Sequence, residues 1–167
     1  MGWTRRGIGV SCNGFEASLW NTRAQTNKPN GGKVNLPTYI GGSFAGRERI
    51  KEMAQKLTNL NYKVISRWFD EDYFIEKAWN HDMGGEVAEA MARLDFTQLL
   101  QAKLVIIDSI DKSSTGGSDT ELGIAIMLAF FHGIRVVHIG PYRNIFQTMA
   151  LEHYKDWDAF LHPWEQK

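Results

Sequence analysis

The chain has one cysteine in 167 residues, Cys12, so no disulfide can form within it, and its stability has to come from packing. No apolar run approaches the roughly 20 residues that a bilayer span needs, and the first residues lack the apolar stretch of roughly 7 to 15 residues found in a secretory signal. Met1-Gly2 opens like a myristoylation site, but Arg6 stands where Ser or Thr is wanted. An excess of one charge is missing as well: 19 basic and 19 acidic residues leave the formal net charge at zero, and no nucleic-acid partner is expected. The histidines at 81, 132, 138, 153 and 162 show neither H-E-x-x-H nor any paired spacing, so no metal is expected. G-x-G-x-x-G, G-x-x-x-x-G-K-[ST] and G-x-S-x-G are all absent, which removes the dinucleotide, P-loop and serine-triad readings and leaves no cofactor to expect. These absences together describe a cytoplasmic protein with no membrane partner.

What is present is a core-forming composition, 43% hydrophobic, on a length that suits one domain. Charge is unevenly placed. Arg5, Arg6, Arg23, Lys28 and Lys33 face only Glu16 in residues 1–36, so this segment carries +4 and the remainder −4. Residues 21–37 show no periodicity, and residues 1–36 read as a flexible N-terminal arm, with Phe15 and Trp20 available to dock on the body or a neighbouring subunit.

From Pro37 onward, over 37–167, the pattern is regular. Thr38 to Gly42 reads as a strand, and Ile50, Met53, Ala54, Leu57 and Leu60 fall at helical spacing. A strand is expected over Tyr62 to Trp68, a loop over Phe69 to Met83, and a helix from about Gly85 to Phe96 with Val87, Met91, Leu94 and Asp95 on one inward stripe. Then come a strand at 103–108, a helix at about 119–132, a strand at 135–139, a short helix near Asn144, an edge strand near 152–154 and a last helix near 157–161. Strands alternating with helices imply a parallel sheet covered on both faces. The expected fold is therefore α/β, a flavodoxin-like three-layer sandwich with a five-stranded parallel sheet.

Three strand ends carry chemistry-bearing residues. Tyr39 precedes Gly41-Gly42-Ser43-Phe44, where glycines let a ligand approach the backbone and helix-start amides hold an anion; the same residues also suit a plain strand-to-helix turn. Asp95 puts a carboxylate on an inward stripe, which is costly unless it is paired or functional. The run Ser114-Thr115-Gly116-Gly117-Ser118-Asp119-Thr120-Glu121 follows a buried strand and opens a helix. Glu121 there is either a nucleophile at the ligand-binding end of the sheet or half of a Ser118/Glu121 capping box. Two carboxylates so placed are the minimum for retaining glycosyl transfer, one attacking the anomeric carbon and the other handling the leaving-group proton.

In these motifs the chain resembles the nucleoside 2-deoxyribosyltransferase family, which includes the 2'-deoxynucleoside 5'-phosphate N-hydrolases. The resemblance runs from Tyr39 to about Phe160 and rests on three pieces in order: Tyr39-Ile40-Gly41-Gly42-Ser43-Phe44, Asp95, and Glu121-Leu122-Gly123-Ile124-Ala125, with Asp95 standing 26 positions before Glu121. It implies Glu121 as nucleophile, Asp95 as the group that protonates the departing base, and Tyr39 as a hydroxyl orienting Glu121. It implies substrate contacts at Gly41, Gly42, Ser43, Ser114, Thr115 and Gly117, with Phe44 and Trp68 either stacking on a base or packing in the core. Asn144 resembles the family's asparagine that reaches a neighbouring subunit's sugar site, so a homo-oligomer with a shared active site is implied.

Thr115 stands six residues before Glu121, where transferases acting on free nucleosides carry an aspartate. With Ser43 and Ser114 it resembles the nucleotide hydrolases, in which hydroxyls hold a 5'-phosphate. The small-molecule partner implied is a nucleoside or nucleotide. The reaction is transfer of a deoxyribosyl group to another base, or hydrolysis that releases the free base. Gly116-Gly117-Ser118-Asp119-Thr120-Glu121 is also similar to the P-G-G-x-G-T-x-E motif of cytokinin-activating phosphoribohydrolases, from which it departs at Asp119 and in the spacing of Thr120 and Glu121. A non-catalytic nucleotide sensor on the same fold is the remaining alternative.

Overall fold

The computed structural model describes residues 35–70, 85–111 and 116–165. The expected arm thus lies outside the described residues except for Asn35 and Leu36, as do Phe15, Trp20, Ser114 and Thr115. Strand β1 (Pro37–Gly42) leads through a 3-10 turn (Phe44–Gly46) into helix α1 (Arg47–Asn59), followed by β2 (Lys63–Val64). Then come α2 (Gly85–Gln101), β3 (Leu104–Asp108), α3 (Gly117–His132) and β4 (Arg135–Ile139). A 3-10 helix (Ile145–Met149), β5 (Glu152–Tyr154) and α4 (Trp157–Glu165) complete the order.

The five strands form one sheet in the order β2-β1-β3-β4-β5, parallel at every pairing. This is the flavodoxin-like arrangement, in which ligands bind beyond the carboxyl ends of the strands where the order reverses, between β1 and β3. Leu104 to Asp108 are all buried, as expected of a central parallel strand covered on both faces. Alternation along the strands sorts the core into two halves. Ile40, Leu104, Ile106, Val137 and Ile139 pack with Ile50, Leu57, Trp157 and Phe160 of α1 and α4. Tyr39, Val105, Ile107 and Val136 pack with Leu99, Leu122 and Ala125 of α2 and α3. Two helical layers therefore sandwich the sheet, the three-layer fold expected.

Two elements differ from the sequence expectation. The strand expected over 62–68 pairs only at Lys63 and Val64. Beyond them, side chains replace the ladder: Ser66 Oγ accepts the Ile40 N–H at 2.7 Å, and Trp68 Nε1 donates to the Ile40 carbonyl at 2.7 Å. Helix α2 runs on to Gln101, and its inward stripe is Met91, Asp95, Gln98 and Leu99, whereas Leu94 is 42% exposed. The longer helix is oriented by Gln98 and Leu99, which are both buried, and this turns Leu94 outward while keeping Asp95 inward.

A buried carboxylate ties the layers together at the carboxyl edge. Asp108 ends β3 and accepts from Arg49 Nε and Nη2 (3.1 Å each), the Ile110 amide (2.9 Å) and Trp157 Nε1 (2.7 Å). Arg49 also donates to Asp111 at 2.6 Å. With donors from α1, α4 and the following loop, the charge is well satisfied despite its burial. No helix among the described residues is long and apolar enough to cross a membrane.

Candidate active site

Helix α3 begins one residue after Gly116, whose φ of +73° is the left-handed backbone that glycine adopts without steric cost. Gly116 is the N-cap, and no side chain caps this helix. The Ser118/Glu121 capping box is therefore not formed: Ser118 is buried in the first turn, and Glu121 points elsewhere. One turn into the helix, Glu121 reaches down to β1, where the Tyr39 hydroxyl donates to its Oε1 at 2.8 Å across 82 residues of sequence. Its other oxygen, Oε2, is buried with no hydrogen-bond partner among the described residues.

The electrostatics follow from that position. Burial, together with the negative charge of Asp95, raises the Glu121 carboxyl to about 8, against the opposing hydrogen bond from Tyr39. Burial also pushes the Tyr39 phenol far above its ordinary value, reinforced by Glu121 and Asp95, so Tyr39 serves as a neutral donor. Asp95, on the inward face of α2, is close enough that its charge is felt by both groups. A cleft of about 590 Å³ opens between α2 and α3, lined among others by Asp95, Phe96 and Leu99 on one side and Gly117, Thr120 and Glu121 on the other. At its rim Arg93 donates to Glu89 at 2.6 and 2.9 Å. Two carboxylates of unlike surroundings, one oriented by a phenol, thus face a cleft large enough for a small organic molecule.

The glycines after Tyr39 leave little open room. A Cβ at Gly41 would overlap Oε2 of Glu121, and one at Gly42 would strike Cδ1 of Ile50 and come within 3.2 Å of the Asp108 carbonyl oxygen. The chain itself fills both spaces. Ser43 is buried at the end of β1, and its Oγ has no partner among the described residues. Phe44 lies under the Arg47 guanidinium, 5.7 Å from the ring centroid. Trp68 is held by its bond to Ile40 and meets Phe69 edge to face at 5.6 Å.

Asn144 sits away from the cleft. Its Oδ1 accepts from the Phe146 and Gln147 amides, forming with Gln147 a capping box for the 3-10 helix, and its Nδ2 donates to Asp119 Oδ1 at 2.9 Å. Gln147, 2% exposed, also donates to Ser109 (3.4 Å) and Asp119 (3.3 Å), pinning this loop to the start of α3. Asp119 and Gln147 were not singled out from sequence. The available signal was Asn-x-x-Gln after Gly140-Pro141, which is a capping box in the same sense as Ser-x-x-Glu.

Beside this loop, an apolar groove of about 570 Å³ runs along the outer side of α3. Met127, Phe130, Phe131 and Phe146 there are 50 to 67% exposed. His138 is fully buried on β4 and held near pKa 4 by burial and by His153, so it is neutral at pH 7. No group of three or more potential metal ligands occurs among the described residues. No protein-family model matches the chain, and no curated protein matches it significantly.

Proposed function

We propose that this protein cleaves the N-glycosidic bond of a 2'-deoxynucleoside or its 5'-monophosphate through a covalent glycosyl-Glu121 intermediate. The observation that carries the reading is the Tyr39–Glu121 hydrogen bond at 2.8 Å, in a cleft that also holds Asp95. In the first step ionised Glu121 bonds to C1' as the C1'–N bond breaks, and Asp95, which takes up a proton from water as the substrate binds, gives that proton to the departing base. In the second, an incoming base or water attacks C1', its proton passes to Asp95, and Glu121 leaves as a carboxylate. Tyr39 steadies one carboxylate oxygen throughout. Because burial and Asp95 raise Glu121 to about 8, the nucleophilic form grows as pH rises toward that value.

Transfer of the deoxyribosyl group to a second base is the defining reaction of the family that the motifs resemble. Hydrolysis of a 5'-monophosphate is the second reading. It is favoured by Ser43, a buried hydroxyl at the end of β1 without a partner among the described residues and so free to donate to a phosphate. The exposed apolar groove on α3 supports a homo-oligomer, because faces of this kind are commonly covered by a second subunit.

The test is incubation with deoxynucleosides and their monophosphates, with and without a second free base, followed by chromatography. Base exchange supports the transferase, and base release that ignores the added base supports the hydrolase. Binding of nucleotides with no release of base would overturn both in favour of a sensor.

A further inference from the structure

Tyr39 and Gly41 lie on the same face of β1, two residues apart, and Glu121 comes down onto both. Its Oε1 takes the Tyr39 hydroxyl, while Oε2 lies where a side chain at residue 41 would begin. That oxygen is buried and has no partner among the described residues. Gly42 differs, being closed by Ile50 and by the backbone of Asp108. We infer that Gly41 is a positioning residue for Glu121: the space left by its missing side chain is the seat of the carboxyl's second oxygen, holding the group against β1 and out of the water of the cleft.

The structural part of this inference stands on geometry alone, and its catalytic consequence rests on the reading of Glu121 as nucleophile. A methyl group at residue 41 would lift the carboxyl off Tyr39 and toward the cleft. The titratable groups that act on Glu121 are Tyr39 from β1 and Asp95 from α2, with the Glu89–Arg93 pair lining the same cleft. From β3 the apolar Ile107 lies against the same seat. Seated, the carboxyl keeps a proton to about pH 8; released into water, it ionises nearer its ordinary 4.5.

The experiment compares thermal melting of the wild type, Gly41→Ala, Glu121→Ala and the double variant between pH 4.5 and 8. It is accompanied by base-release pH profiles of the wild type and Gly41→Ala. The folded wild type keeps a proton that the unfolded chain releases, so its melting temperature falls as pH rises across this window. In Gly41→Ala that fall shrinks. The new methyl meets only the ends of two side chains, Oε2 of Glu121 and, at 2.9 Å, Cδ1 of Ile107, so the fold should absorb it.

In the Glu121→Ala background the seat is empty, and Gly41→Ala changes the melting temperature little. That comparison decides the matter even if the single variant fails to fold. An unchanged pH slope in Gly41→Ala, or an equal loss of melting temperature with and without Glu121, overturns the inference. In base release, Gly41→Ala should lower kcat and move the acid limb to lower pH, which a merely destabilising change would not do. If the wild type releases no base, the catalytic reading fails, and the melting comparison still decides the seat.

Discussion

At the scale of residues, Glu121 is governed by opposing neighbours, and removing each should move it in a different direction. Tyr39→Phe deletes the hydrogen bond that favours the carboxylate, so the Glu121 pKa rises and the acid limb of kcat/KM shifts above its wild-type position near pH 8. Asp95→Asn deletes a repelling charge, so the same limb moves to lower pH. Asp95→Asn should also slow substrates with poor leaving groups more than activated ones, since protonation matters most where the base departs unwillingly. pH–rate profiles of the two variants on two substrates check this. Shifts in the same direction, or equal slowing across leaving groups, would mean that Asp95 has only a structural role.

At the scale of elements, the β2 edge shows how side chains stand in for a ladder. Trp68→Phe keeps most of the ring packing and leaves the Ile40 carbonyl without its donor, a loss of about 1–3 kcal/mol for a buried group. Urea unfolding should register that loss with the fold intact, and a change within a few tenths would show that the indole bond adds nothing. This edge is also where sequence pattern misleads. Tyr62 to Trp68 has strand-like composition, but nothing local reveals that Ser66 and Trp68 satisfy Ile40 through their side chains. By contrast β3 and β4 are legible because both are nearly continuous apolar runs, buried on two faces. The face of α2 is half legible: Asp95 is inward as its spacing suggests, but the orientation is set by Gln98 and Leu99 near the helix end, and Leu94 turns out.

At the scale of the whole molecule, the parallel sheet brings Tyr39 and Glu121 together from 82 residues apart. Their pairing was expected from motif resemblance, whereas the fit of Glu121 over Gly41 is visible only in three dimensions. The apolar groove runs along α3, the helix that carries Glu121, so covering it with a second copy would bear on the site. Light scattering should find a dimer or larger species, and Phe131→Glu, placed where the ring is 67% exposed, should dissociate it and lower base release. A monomer with full activity would separate the groove from the chemistry.

The most direct test of the catalytic centre is the rate of base release by Glu121→Gln relative to the wild type, on the substrate that the wild type prefers. Glutamine keeps the size of the side chain and can still accept from Tyr39, so the fold should survive while the nucleophile is lost. The predicted result is a fall on the order of a thousandfold or more in a protein that remains folded. Retention of most of the wild-type rate, with only a change in melting temperature, would contradict the assignment of Glu121 as nucleophile.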